Sequence, residues 1–180
     1  MSLNINQRFA LGSFIQSRIL KIFYYFKYSS IKKILSPYSG NVVPSELIGN
    51  INIKNDIFGT SLGVLPFKNE VKAPCDCLVE KISAVGNGIR LKVGSVIIIL
   101  NVGLEADKYS KDLFKLFVKE GDRLEKGQTI LTFDADKLYS IDRTFVCVIT
   151  VRQTKAKEHI TFINSRKLNF DSIICNINTN

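Results

Sequence analysis

The sequence predicts an all-β domain, an antiparallel sandwich or barrel with one short internal helix, preceded by an amphipathic N-terminal helix. Three observations lead there. From Ser36 onward, apolar residues come in short runs separated by Gly and Pro, several of them with period two. Within that region only 107–118 has helical spacing, and before it 8–35 repeats every three to four residues. Many short strands with turn signals and little helix are the pattern of a sandwich or barrel. The chain therefore divides into a basic arm over 1–35 and a β domain over 36–180.

In the arm, Leu11, Ile15, Ile19, Ile22 and Phe26 form one stripe, with Ser13, Gln16, Arg18 and Lys21 largely off it. Arg18 and Lys21 interrupt the run too centrally for a membrane span. Cations beside Phe23 and Phe26 suit the surface of an anionic leaflet, and Arg18, Lys21, Phe23 and Phe26 are the candidate lipid contacts. The alternative is packing on the domain or on a partner. Past Ser36, the alternation Ile51-Asn52-Ile53-Lys54 reads as a strand, as does 78–82 after Pro74. Residues 89–93 alternate as a half-buried strand, and 96–100 are apolar throughout, as in a strand covered on both faces. The helix over 107–118 would bury Leu113, Leu116 and Phe117 and stop at Gly121. Gly121 and Gly127 bracket a turn that calls for positive φ. Strands over 129–133, 145–151, 160–163 and 173–177 complete the reading.

Composition narrows the chemistry. Of 180 residues 46% are hydrophobic and 23% charged, an ordinary globular balance. The net charge of +9 comes largely from residues 1–40, with six cations and no acid; 41–180 carry 19 cations against 16 acids. A nucleic-acid domain would be basic through its body, so none is expected as a partner. His159 is the sole histidine, which excludes relay between imidazoles and His-rich zinc hydrolysis. Cys75 and Cys77, two apart on a strand, would point to one face, but the spacing is not that of a standard zinc site; Cys147 and Cys175 lie far off in sequence. No metal and no cofactor are expected, and no secretory signal is recognisable.

Four stretches, in order, resemble the glucose-type enzyme IIA domain of the bacterial sugar phosphotransferase system. They are Ser36-Pro37-x-x-Gly40-x-Val42-Val43-Pro44; Leu62-Gly63-Val64-x-Pro66 with Val71-x-Ala73-Pro74-x-Asp76; Asn101-Val102-Gly103-Leu104-Glu105; and Gly121-Asp122-Arg123-Leu124-Glu125-Lys126-Gly127-Gln128 ending at Phe133-Asp134. The third sits where that family has H-x-G-[IVL]-D-T. The resemblance implies a sandwich of the duplicated hybrid-motif type, a phosphoryl-accepting histidine, and a second histidine facing it.

Motif matching puts Asn101 at the acceptor position, Asn87 at the facing position and Glu105 at the family's aspartate. An amide nitrogen has its lone pair delocalised into the carbonyl and cannot accept a phosphoryl group as an imidazole does. The neighbouring threonines are Ala106 and Val85. What could remain is docking, since the family presents an apolar concavity around its histidines; Phe58, Ile89, Val102 and Gly103 are the candidate contacts here. The reading is an enzyme IIA-like binding or regulatory module without phosphate-carrying activity, cytoplasmic, at the inner membrane face, with a carrier or transporter as protein partner. A working phosphocarrier and a structural partner of a transporter are the rivals.

Overall fold

The computed structural model describes residues 33–153 and 158–179. In chain order the strands are β1 (Lys33–Leu35), β2 (Gly40–Val43), β3 (Thr60–Pro66), β4 (Glu70–Lys72), β5 (Cys77–Ile82), β6 (Gly88–Val93) and β7 (Val96–Val102). They continue with β8 (Phe114–Leu116), β9 (Arg123–Leu124), β10 (Thr129–Phe133), β11 (Cys147–Gln153), β12 (Glu158–Phe162), β13 (Lys167–Leu168) and β14 (Ile173–Thr179). An eight-stranded sheet runs β13-β2-β3-β11-β7-β6-β5-β9, and two three-stranded sheets, β1-β14-β12 and β4-β10-β8, complete the fold. Every pairing among these strands is antiparallel. This is the all-β antiparallel sandwich expected from the sequence.

The inward rows of β7 (Val96, Ile98, Leu100, Val102), β6 (Ile89, Leu91, Val93) and β11 (Cys147, Ile149, Val151) join Ile130, Leu131 and Phe133 of β10 in one core. Alternation along β6 leaves Arg90 and Lys92 exposed on the other face, as period two requires. Most of β7 is buried, in keeping with its unbroken apolar run. Gly121 and Gly127 both have positive φ at the ends of the β9 turn.

Four local expectations need correction. Residues 107–118 form no α-helix: 3₁₀ turns at Ala106–Lys108 and Lys111–Leu113 lead into β8. Tyr109 and Ser110 are extended between the turns, and Leu131 pairs with Leu116. Leu116 and Phe117, expected inside, are 37% and 50% exposed, while Tyr109 and Phe114 are buried instead. The internal helix is α2, Ala135–Ile141, whose N-terminus is capped by Asp134 accepting from the Lys137 amide. Second, Ile51–Lys54 is a helical turn, α1, because the Asn50 side chain accepts from the amides of Asn52 and Ile53 and only Ile53 is buried. Third, Lys33–Leu35, assigned to the arm, is strand β1 with Ile34 fully buried, so the domain includes it. Fourth, Cys75 precedes β5 and only Cys77 lies on it. The arm itself, with Arg18, Lys21, Phe23 and Phe26, lies outside the described residues, and among those described no helix is long and apolar enough to cross a membrane.

Candidate functional site

Register fixes the surroundings of Asn101. On the face of the large sheet away from the core, Gly88 (β6), Asn101 (β7), Val148 (β11), Gly63 (β3) and Val43 (β2) form one continuous row. Asn101 is half-buried in it, and its Oδ1 would lie 3.0 Å from a Cβ placed on Gly88, so the glycine makes room for the amide. Behind the row, the fully buried Tyr38 hydroxyl donates to the carbonyls of Asn101 at 3.1 Å and Val148 at 3.2 Å. Burial, more than the neighbouring Cys147, holds that phenol well above its usual pKa, so it stays a neutral donor. Tyr38 thus pins β7 and β11 from below.

Asn87 is 3% exposed and its amide is consumed within the fold. Its Oδ1 accepts from the Ser83 hydroxyl at 2.9 Å and its Nδ2 donates to the Gly103 carbonyl at 3.3 Å. The Asn87 carbonyl accepts from the Val102 amide, and Ser83 Oγ accepts from the Gly88 amide. Asn87 lies in the turn just before β6 and Asn101 on the neighbouring β7, with Asn87 serving as a tie between the β5–β6 turn and the end of β7.

Gly103 has φ of +72°, and a Cβ there would fall on the ring of Tyr109. Tyr109, buried, donates to Asp142 Oδ2 at 3.1 Å, while Asp142 Oδ1 accepts from the Thr144 amide at 2.9 Å and its hydroxyl at 2.6 Å. Burial alone would raise the Asp142 pKa; the Thr144 and Tyr109 donors outweigh it and hold the carboxyl below the usual range. The same contacts, with burial foremost, push Tyr109 up. Glu105, two residues beyond Gly103, is half-exposed and pairs with Lys108 at 3.5 Å. Leu104, Glu105, Asp142, Arg143, Ile48 and Val146 help line a cleft of about 460 Å³ beside this corner.

Of the four expected docking residues, Phe58 is 46% exposed, whereas Ile89 and Val102 are each 1% exposed and belong to the core. Their inward direction follows from the pleat, and they offer no side-chain surface. Gly103 is filled over by Tyr109. The exposed apolar side chains of this face come instead from the segment between β2 and β3: Leu47, Ile51 and Ile57 besides Phe58. Ile48 and Ile53 of the same segment cover Val146 and Val148, with Ile48 seated over Gly63. His159 sits on β12, opposite Asn178 in a three-stranded sheet, not in the sheet that holds Asn101. Among the described residues no group of three or more His, Cys, Asp or Glu is arranged to hold a metal. Tyr38, Tyr109 and Asp142 escaped sequence reasoning because their partners lie 33 to 110 residues away.

Comparison with known proteins agrees with this fold. Residues 32–157 match the family described as phosphoenolpyruvate-dependent sugar phosphotransferase system, EIIA 1. The mannose-specific EIIBCA component of Corynebacterium glutamicum is 25% identical over 146 residues, covering 81% of this chain and 21% of that protein. Its glucose-specific EIIBCA component is 22% identical over 147 residues, covering 81% and 22%. The chain thus spans about a fifth of the length of these relatives. The glucose permease IIA of Mycoplasma capricolum shares the fold, with a TM-score of 0.73 at 16% identity over 81% of this chain and 94% of that one. With the family match running through both asparagine positions and nearly all of the large sheet, this chain belongs to the EIIA 1 family of the phosphoenolpyruvate-dependent sugar phosphotransferase system.

Proposed function

We propose that the domain is an EIIA-like binding module that carries no phosphoryl group and works at the inner, cytoplasmic face of the membrane. The observation that supports this most directly is the pair Asn87 and Asn101. Neither side chain has a nucleophilic lone pair, and the Asn87 amide already has partners in Ser83 and Gly103. Glu105 and Asp142 are carboxylates with donors or a cation beside them, suited to holding the corner together rather than to accepting phosphate. The partner in this reading is a protein of the sugar-transport system, a carrier or a transporter, docking on the Asn101 face, with the basic arm on the anionic leaflet.

The test is transfer of label from phosphoenolpyruvate through the purified general components of the system. No stoichiometric acid-labile label should appear on the chain. Label that persists in His159→Ala would restore the working phosphocarrier.

A further inference from the structure

Sequence counting spreads the charge of the domain almost evenly, but strand pairing does not. On the outer face, Arg123 (β9), Leu78 (β5), Lys92 (β6), Ile97 (β7) and Arg152 (β11) form one row across five strands, with Ile97 buried between the exposed Lys92 and Arg152. Cations therefore recur at every second strand, roughly 10 Å apart. The row between this one and Asn101 runs Lys81 (β5), Arg90 (β6) and Ile99 (β7). Lys81, Lys92, Arg123 and Arg152 are exposed, and Arg90, 46% exposed, has its guanidinium 2.6 Å from Glu80. Glu80 is the single carboxylate on β5, β6, β7, β9 and β11, against five cations.

The same face continues into the segment between β2 and β3, which lies over Gly63 and Val148. There Leu47 is 75% exposed, Ile51 64%, Ile57 60% and Phe58 46%. Phe58 leads directly into Gly59, against whose α-carbon side Arg152 packs. This segment adds Lys54 against Glu46 and Asp56, so that it and the five strands together carry six cations against three carboxylates. Large apolar side chains standing beside a lattice of cations are what an anionic bilayer surface takes up: the apolar groups enter the headgroup boundary and each nearby cation adds attraction.

We propose that this face of the sheet, Arg123 to Arg152 with Ile51, Ile57 and Phe58, is a second membrane-contact surface for anionic phospholipid, so that the domain lies face-down on the leaflet. The inference rests on the membrane-surface location proposed above. It adds that the body, not only the arm, makes the contact. Fluid lipid phosphates need no matching pattern and can meet each of these exposed cations singly. Nor do these five strands carry an aromatic residue on which a nucleic-acid base could stack. Lying this way, Asn101, two rungs from Lys92 and Arg152, faces the bilayer, so that of the two partners proposed above a transporter within the membrane, and not a soluble carrier, docks there.

Sedimentation of the full chain with vesicles tests it, comparing equal parts phosphatidylglycerol and phosphatidylcholine with phosphatidylcholine alone. Lys92→Glu with Arg152→Glu should weaken binding to the anionic vesicles at least tenfold, roughly what two cations at such a surface supply. Lys33→Glu with Lys115→Glu, in the two small sheets, should change it less than about twofold by the same rule. Ile57→Ser with Phe58→Ser should also weaken binding, and the loss should persist in high salt, where the charge contribution is screened. Unchanged thermal melts for the variants exclude misfolding. Loss on Arg18→Glu with Lys21→Glu, together with no loss in either face pair, would overturn this inference and leave the arm as the whole anchor. Equal binding to both kinds of vesicle would overturn the arm and the face together, leaving an acidic protein surface as what the cations meet.

Discussion

Asn101 and Asn87 occupy neighbouring positions but do different work. Asn101 is half-buried with its side chain beside Gly88, whereas Asn87 ties a turn to the end of β7. Restoring an imidazole at Asn101 supplies a nucleophile without its partner, so Asn101→His should regain at most weak phosphohistidine label. The double change with Asn87→His should label more strongly, at a stability cost of about 1–3 kcal/mol for the lost ties of Asn87. A double variant that folds and never labels would show that the donor no longer docks. Asp142 gives a prediction in pH. Its folded pKa lies below the unfolded value, so its contribution is present above about pH 4 and drains away as pH falls through the folded pKa. Urea midpoints from neutral pH down to about pH 2 should therefore fall less steeply in Asp142→Asn than in the parent. An equal slope would mean that the carboxyl is not held by Tyr109 and Thr144.

At the scale of elements, residues 107–118 and 51–54 depart from their apolar periodicity for one reason. Over 107–118 the apolar spacing was helical, yet Tyr109 reaches Asp142 and Phe114 pairs with Phe133, and both need extended backbone between short turns. Over 51–54 the spacing was that of a strand, yet Asn50 caps two amides and starts a helical turn. In stretches of four to twelve residues a few tertiary or capping bonds outweigh periodicity. The cap can be tested: Asn50→Ala should cost about 1 kcal/mol. It should also loosen the segment that bears Ile48 and Ile53, read as faster amide exchange at Ile53 and Lys54. Exchange unchanged there would show that burial of Ile53 alone holds α1.

For the molecule as a whole, the limits of the domain and its independence from thiol chemistry follow from the packing. Ile34 is fully buried on β1, which pairs with Cys175 and its neighbours on β14. A chain beginning at Lys33 should retain the stability of the domain, and one beginning at Ser36 should lose about 2–5 kcal/mol, the usual cost of emptying such a site. Equal denaturation midpoints for the two would make β1 dispensable. All four cysteines are free and buried. Burial pushes Cys175 up to about 12 and Cys147 higher, and the contact with Cys77, together with burial, raises Cys75. Thiols so protonated react slowly, so thermal melts with and without reductant or chelator should coincide. A large shift with either reagent would reveal a bridge or a metal that these positions hold.

The class of fold, the order of its strong strands, the family through four spaced motifs, and the two asparagines where histidines were implied could all be read along the chain. These are properties of short stretches: period two in β6, an unbroken apolar run in β7, positive-φ glycines at 121 and 127. Which face each stretch presents to which neighbour came from strand pairing and packing. Tertiary structure turned Ile89 and Val102 inward, spent the Asn87 amide on Ser83 and Gly103, and set Tyr38 beneath Asn101. It also gathered Lys92, Arg123 and Arg152, spread over sixty residues of chain, into one row. The physical reason is that alternation assigns a residue to one of two faces, while antiparallel register, set by turns and core packing far along the chain, chooses its companions on that face.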